Sequence, residues 1–245
     1  MMTLTEIKKL YPVVRMGECD ATAHEVNYNG ERLEYLDQYI QSMINEGKVK
    51  YAGYCICKNG HIFVDAALGN VKGSGKDASE FRTNTAFDIK SISKLIYTIA
   101  LLKLSEDGLA YPDGSLQEWI KDFSDEDLKK ITGMEANDYI KDAILKPCSI
   151  RDSKQATCRE IVHLGEMLLK DGYYRGKRVI GKNALAYLEK DFLDKMILED
   201  KSSCVLLTDR KNDLVVSYKI SFSSEKDWDF KVLKGIESII YSGLN

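Results

Sequence analysis

Two apolar runs joined by Asn59-Gly60 are the feature that most restricts the fold of this chain. Residues 51–58 and 61–68 are both rich in strand-forming residues, and only two residues separate them. Asn-Gly is the strongest short signal for a two-residue β-hairpin turn, because both positions of such a turn need a positive φ angle. The sequence therefore predicts an antiparallel hairpin over residues 51–68, and a purely helical protein is disfavoured.

Helical periodicity surrounds this hairpin, whereas the first thirty residues carry turn residues and are predicted to be irregular. Apolar residues recur at helical spacing over residues 31–47, 115–123, 135–145, 156–170 and 183–193. Near the end of the chain, we predict paired strands over residues 204–207 and 214–220 about a turn at 209–212, then a helix over 228–241.

Because both ends of the chain supply strands and a helix, the predicted fold class is α+β. We expect an antiparallel sheet formed from both chain ends and flanked by helices, together with a reduced helical region in the middle. A chain of 245 residues can bury a substantial core. We expect a single domain over residues 1–245, with a sheet-and-helix part at 1–110 and 200–245 and a helical part at 111–199.

Composition excludes several classes of function. The net charge is −3, from 35 Lys and Arg against 38 Asp and Glu, which argues against a nucleic-acid binder. No apolar run reaches the roughly 18–20 residues that a membrane-spanning helix needs, and no signal peptide is recognised at the start, so a cytoplasmic location is expected. The six cysteines show no metal-ligand spacing and are expected to be reduced and mostly buried. No metal or organic cofactor is expected.

The candidate catalytic residues are Ser91 and Lys94, in a Ser-x-x-Lys pattern that opens the most apolar predicted helix. Residues three apart on a helix share a face, so the amine of Lys94 can reach the hydroxyl of Ser91. A serine becomes a good nucleophile when a base takes its proton, and burial of Lys94 would favour the neutral amine that can do so. The helix N-terminus adds positive potential, which stabilises a developing oxyanion.

Taken alone, Ser-x-x-Lys is a weak pattern. It also occurs at Ser223 to Lys226, in a polar segment with no other catalytic feature. The alternative interpretation of Ser91 is an N-cap serine followed by an ordinary surface lysine.

The wider context of Ser91 resembles a known family. Residues 85–94, followed by an apolar helix that ends in residues 104–109, are similar to the serine β-lactamase and penicillin-binding-protein superfamily, and most similar to its class C β-lactamase and esterase branch. The resemblance implies that Ser91 is the nucleophile and Lys94 the general base, with the oxyanion bound by the Ser91 N–H and an edge-strand N–H after Ser202. It implies a small amide or ester substrate: a β-lactam, a D-alanyl peptide or a small ester.

The chain also departs from this family. It contains no Tyr-x-Asn or Ser-x-Asn, and no Lys-Thr-Gly or His-x-Gly where the third motif is expected; Lys58-Asn59-Gly60 and His163-Leu164-Gly165 match only formally, in a turn and within a helix. Jumps relative to the family fall at Thr132–Gly133, around Ser153 and over 194–202. Either the chain is a degenerate relative, or segments are missing from the sequence. The alternative function is a non-catalytic relative that binds a ligand or a protein.

Overall fold

The predicted hairpin forms the centre of an antiparallel sheet. The computed structural model describes residues 12–73, 78–111, 119, 122–188 and 203–245. Strands β2 (Val49–Lys58) and β3 (His61–Lys72) pair directly, and their turn has φ angles of 54° at Asn59 and 78° at Gly60. Both positive angles identify the turn type that the Asn-Gly pair predicted. The hairpin is confirmed.

Both ends of the chain contribute to this sheet, as expected. Its further strands are β1 (Val14–Met16), β4 (Ser79–Glu80), β9 (Cys204–Asp209) and β10 (Leu214–Phe222). The strand order is β1-β3-β2-β10-β9, with β4 on β3, and every one of these pairings is antiparallel. β1 corrects the expectation of an irregular start, because Val14 pairs with Leu68 and extends the sheet at its edge.

Two helices cover one face of the sheet: α1 (Glu31–Asn45) and the last helix (Phe230–Tyr241). Tyr54 and Tyr218 are paired in register across β2 and β10, so both point to this face. The Tyr54 hydroxyl donates to Asp37 Oδ1 at 2.7 Å, and the Tyr218 hydroxyl donates to the Leu233 carbonyl at 2.9 Å. Burial raises the pKa of Asp37 to about 6, although the bond from Tyr54 opposes the rise.

The middle of the chain is mostly helical. Its elements are β5 (Phe87–Asp88), α2 (Ser91–Glu106), α3 (Asp125–Thr132), α4 (Ala136–Ile140) with a π turn (Lys141–Leu145), β6 (Gln155–Ala156), α5 (Cys158–Leu169), β7 (Tyr173–Tyr174), β8 (Lys177–Arg178) and α6 (Lys182–Leu185). The last helix, Phe230–Tyr241, is therefore α7. Apart from residues 119, 122 and 123, the predicted helix over 115–123 lies outside the described residues, and so does the part of the 183–193 helix beyond residue 188.

Residue contacts divide the chain into two compact units. One comprises Met1–Thr85, Thr157–Arg159 and Ser203–Asn245, and the other Ala86–Ala156 and Glu160–Ser202. Helix α2 therefore belongs to the helical unit, whereas the sequence had placed it in the sheet part that ends at residue 110. The reason is its apolar surface, which packs against α4, the π turn and α6.

All six cysteines lie in the described residues and none of them forms a disulfide; five are buried, and Cys19 is exposed. Burial raises the pKa of Cys55 and Cys158, which keeps these thiols neutral. Among the described residues, no helix is both long and apolar enough to cross a membrane. Over the same residues, no group of three or more His, Cys, Asp or Glu side chains is placed to hold a metal ion.

Candidate active site

Ser91 is the first residue of helix α2, and the chain that leads to it is held in place. Strand β5 pairs with β6 through Phe87 and Ala156, and the Ile89 N–H donates to the Lys154 carbonyl at 3.1 Å. These bonds fix the direction from which the backbone enters the helix. The position of Ser91 therefore depends on the segment around Lys154.

That segment is itself anchored by an ion pair. The Arg151 side chain donates to Glu160 through Nε at 2.7 Å and through Nη2 at 3.0 Å, and the Arg151 backbone N–H donates to the same carboxylate at 3.0 Å. Two parallel bonds between a guanidinium and a carboxylate have a defined geometry and are stronger than neutral hydrogen bonds. Glu160 is buried, so this pair connects the segment firmly to helix α5.

The backbone is strained one residue before Ser91. Lys90 has φ 32° and ψ −99°, and a lysine rarely adopts a positive φ because its Cβ crowds the backbone. Such a conformation costs about 1–3 kcal/mol, and it persists only where the surrounding structure enforces it. Here it turns the chain from β5 into α2 within two residues.

The Ser91 hydroxyl is buried without a hydrogen bond. The residue is 0% exposed, and its Oγ has no hydrogen-bond partner among the residues that the structure describes. An unsatisfied buried hydroxyl costs about 1–3 kcal/mol relative to a bonded or apolar group. Two unfavourable features therefore meet at the start of this helix, and neither helps the protein to fold.

Lys94 lies one turn after Ser91, but its side chain is exposed. The expectation that Lys94 is buried is therefore wrong. Helix α2 is not apolar all round, because Lys90, Ser93, Lys94 and Tyr97 form an exposed to half-buried stripe with helical spacing. Since Ser91 Oγ has no partner, the amine of Lys94 does not contact it in this conformation.

The Lys94 side chain borders a pocket of about 280 Å³. The pocket is lined by Ser93, Lys94, Ile96, Tyr97, Asp125, Ala136, Asn137, Ile140, Ser153 and Lys154. Sequence reasoning missed Tyr97 as a neighbour of Lys94, although its i+3 spacing was a signal. The Tyr97 hydroxyl donates to the Phe123 carbonyl at 3.2 Å, and burial, reinforced by Asp125 and Asp127, raises its pKa.

The other sequence matches are placed as expected. Lys58-Asn59-Gly60 forms the hairpin turn, and His163 is buried within α5. The second Ser-x-x-Lys, from Ser223, is exposed or half-buried and overlaps a short 3₁₀ turn at Glu225–Asp227. The Thr132–Gly133 junction is the end of α3, where Gly133 adopts the left-handed conformation that commonly ends a helix.

The edge strand that the family resemblance predicted after Ser202 is present. Strand β9 begins at Cys204 and lies at one end of the strand order. The acidic run before Leu128 is also a helix start rather than a metal site, because Ser124 and Asp127 form a capping box.

Comparison with known proteins gives a likeness of structure without a likeness of sequence. No protein-family model and no curated protein matches the chain. A family VIII carboxylesterase matches with a TM-score of 0.64 at 10% identity, over 93% of this chain and 100% of that one.

Two further solved structures are similar. EstCE1, a hydrolase with promiscuous acyltransferase activity, matches with a TM-score of 0.65 at 9% identity, over 86% of this chain and 98% of that one. The octameric penicillin-binding-protein homologue from Pyrococcus abyssi matches with a TM-score of 0.63 at 11% identity, over 87% of this chain and 78% of that one. Together with the antiparallel sheet and the position of Ser91, these matches show that the chain has the fold of the serine β-lactamase and penicillin-binding-protein superfamily.

Proposed function

We propose that this protein is a serine hydrolase that forms an acyl-enzyme on Ser91 with a small amide or ester substrate. The observation that carries the proposal is the start of helix α2, where a strained Lys90 precedes a buried hydroxyl without a partner. Strain and unsatisfied polar groups cost stability, and in natural proteins they concentrate at functional sites. A serine that only capped the helix would accept a backbone N–H, and Ser91 does not.

The proposed reaction has two steps. Ser91 Oγ attacks the substrate carbonyl carbon while its proton passes to a neutral Lys94 amine, and the protonated amine then supplies that proton to the leaving amine or alcohol. Water attacks the resulting ester while Lys94 takes a proton from it, and the protonated amine returns that proton to Ser91 Oγ as the ester bond breaks, which releases the carboxylic acid and restores Ser91. The Ser91 N–H and the positive end of α2 stabilise the oxyanion in both steps.

Lys94 must move for this reaction. Its i+3 spacing from Ser91 puts the two Cβ atoms about 5–6 Å apart, within reach of a long lysine side chain. In the present conformation the Lys94 side chain is exposed and its amine does not contact Ser91 Oγ, so the reactive state requires another lysine rotamer. Because Ser91 is fully buried, the residues that cover it must also be displaced before a substrate can bind.

The substrate class rests on the structural neighbours. A carboxylesterase and a hydrolase with acyltransferase activity both act on acyl groups, and the third neighbour is a penicillin-binding-protein homologue. A small ester, a β-lactam and a D-alanyl peptide each present a carbonyl that a serine can attack. Esters are the first substrates to test, because two of these three names refer to ester or acyl-transfer chemistry.

The burial of Ser91 and the exposure of Lys94 favour a second function, a non-catalytic relative that binds a ligand without turning it over. The absence of a Tyr-x-Asn or Ser-x-Asn from the sequence supports it further. Saturable binding of a β-lactam or an ester, with no product formed, is the result that this alternative expects.

Turnover of p-nitrophenyl acetate and nitrocefin separates the two functions. We expect the wild-type chain to hydrolyse at least the ester, and Ser91→Ala to lose the activity. Ser93→Ala is the matched control, because it removes the neighbouring serine of the same helix and should keep most of the activity. Hydrolysis that survives Ser91→Ala, or no hydrolysis by the wild type, contradicts the proposal.

A further inference from the structure

The three exposed tyrosines in the described part of the chain border one pocket. Tyr111, Tyr173 and Tyr187 are 64%, 47% and 57% exposed, whereas every other tyrosine in the described residues is buried or half-buried. All three line a depression of about 780 Å³ beside the C-terminal end of α2. Exposed aromatic rings scattered singly need no explanation, but a cluster of them marks a surface that contacts something.

A rigid hairpin presents one of these rings. Strands β7 and β8 are joined by Arg175 and Gly176, with φ angles of 47° and 76°, in a tight two-residue turn. Tyr173 is directly opposite Arg178, so both side chains lie on the same face of the hairpin. The backbone packs closely at Gly172, at the base of the hairpin, because a Cβ there would lie only 1.9 Å from the Ile180 carbonyl oxygen. The ring of Tyr173 is therefore displayed on a fixed framework.

The charged groups in the pocket are paired with one another. Glu106 forms an ion pair with Arg178 and accepts a hydrogen bond from the Gly181 N–H at 3.0 Å. Lys182 forms a second pair with Asp171 at 3.1 Å. The two carboxylates and two cations that line the pocket thus balance. A charged ligand would have to break one of these ion pairs, whereas a neutral ligand can form hydrogen bonds with the carboxylate oxygens and N–H groups while the pairs stay intact.

We propose that this pocket binds a neutral carbohydrate. A sugar ring has an apolar C–H face that can lie on a tyrosine ring, and hydroxyl groups that both donate to carboxylates and accept from guanidinium and ammonium groups. The pocket offers both: three exposed rings and a polar wall of compensated charges. Its volume is within the range of small-molecule sites and suits a short oligosaccharide.

This site is separate from the proposed acyl-transfer site. Ser105 and Glu106 border the pocket, and Ser91 opens the same helix fourteen residues earlier than Ser105, which is about 21 Å along the axis at the usual helical rise. The carbohydrate proposal therefore goes beyond the hydrolase proposal and does not depend on it. Ser91→Ala is expected to bind saccharide as the wild type does.

Saturation-transfer NMR and calorimetry test the proposal with defined probes. The wild-type chain is titrated at millimolar concentration with cellotetraose, maltotetraose and chitotetraose as neutral saccharides, and with tetragalacturonate as an anionic one. We expect at least one neutral saccharide to bind more tightly than tetragalacturonate. Tyr173→Ala and Tyr187→Ala should each weaken that binding by about five- to tenfold, because each removes one stacking ring.

The controls separate loss of the site from loss of the fold. Tyr173→Phe keeps the ring and should bind almost as the wild type does, and Ile131→Ala removes an exposed apolar side chain outside the pocket and should change nothing. Circular dichroism checks that each variant is folded. The proposal is overturned if no neutral saccharide binds, if only tetragalacturonate binds, or if binding is unchanged in both tyrosine-to-alanine variants.

Discussion

The two ends of helix α2 are built in opposite ways. At its start, Lys90 has a strained backbone and Ser91 a buried hydroxyl without a partner. At its end, Gly108 adopts the left-handed conformation, its N–H donates to the Ser105 carbonyl, and the Leu109 N–H donates to the Leu104 carbonyl. This pair of hydrogen bonds is the Schellman motif, which satisfies the last carbonyls of a helix.

The side chains at the C-terminal end of α2 are also well paired, unlike Ser91 at its start. Lys103 pairs with both Glu106 and Asp107 in the last turn, and Glu106 in turn bonds to Arg178 and to the Gly181 N–H. Cations and bonded carbonyls near a helix C-terminus are stabilising. The start of this helix thus lowers the stability of the fold, whereas its last turn raises it. This difference between the two ends agrees with the proposed role of Ser91 as a nucleophile.

Removal of the Lys94 amine should have the largest effect. Lys94→Met keeps the length of the side chain but removes the base, and general base catalysis contributes about 10²–10⁴-fold to rate. We expect kcat for p-nitrophenyl acetate to fall by about 10²–10³-fold with little change in KM. Lys103→Met, at the other end of the helix, is the control and should lower stability rather than kcat. An equal loss of kcat in both variants would contradict the proposed difference in role between the two ends of α2.

Among the single substitutions, removal of the Glu106 carboxylate should lower stability the most. Glu106→Ala deletes the partner of Arg178 and the acceptor of the Gly181 N–H, and hydrogen bonds to charged groups contribute about 1.5–3 kcal/mol. We expect the free energy of unfolding in urea to fall by about 2 kcal/mol. Glu225→Ala, at an exposed position in a 3₁₀ turn, should change it by no more than about 0.5 kcal/mol. A Glu106 variant as stable as the wild type would show that this end is not the stabilising one.

Asp37 in the sheet unit extends the comparison to a half-buried group that does have a partner, Tyr54. Its folded pKa of about 6 lies above the usual value of 3.8, so the folded protein keeps a proton that the unfolded chain loses between pH 4 and pH 6. Stability should therefore fall by about 3 kcal/mol as pH rises through this window. Asp37→Asn should remove this fall, whereas Asp138→Asn, at an exposed position, should keep it. Urea unfolding of both variants at several pH values measures the effect. A flat wild-type profile would contradict the assignment.

Ser91→Ala should give the smallest change, and one of opposite sign. Alanine fills the same site without an unsatisfied hydroxyl, so we expect a gain of about 1–2 kcal/mol in the free energy of unfolding. Ser93→Ala, at a half-buried position, should stay within about 0.5 kcal/mol of the wild type. Thermal and urea unfolding measure both variants. A loss of stability in Ser91→Ala would indicate that the hydroxyl has a structural role after all.

Local patterns predicted much of the fold, because the physics that fixes those parts is local. The Asn59-Gly60 turn, the two strands that it joins and the end of the Ser91 helix within residues 104–109 each depend on neighbouring residues, and all are present. Strand β1 was missed because it is three residues long and exists only through pairing with β3, some fifty residues later.

The site was predicted less completely. The sequence placed Ser91 at the start of a buried helix, but it could not show that the hydroxyl lacks a partner, because that depends on every group around it. It also placed Lys94 in an apolar helix without identifying the polar stripe on which Lys94 lies. The cluster of Tyr111, Tyr173 and Tyr187 joins residues from separate elements, so no spacing along the chain reveals it.

The intact mass of the protein after incubation with a fluorophosphonate, which reacts with activated serines, tests most sharply whether Ser91 is a nucleophile. We expect one adduct on the wild-type chain, located by peptide mapping on Ser91, and none on Ser91→Ala, while Ser93→Ala is labelled like the wild type. No adduct on the wild type, or the same adduct on Ser91→Ala, would show that Ser91 is not a nucleophile.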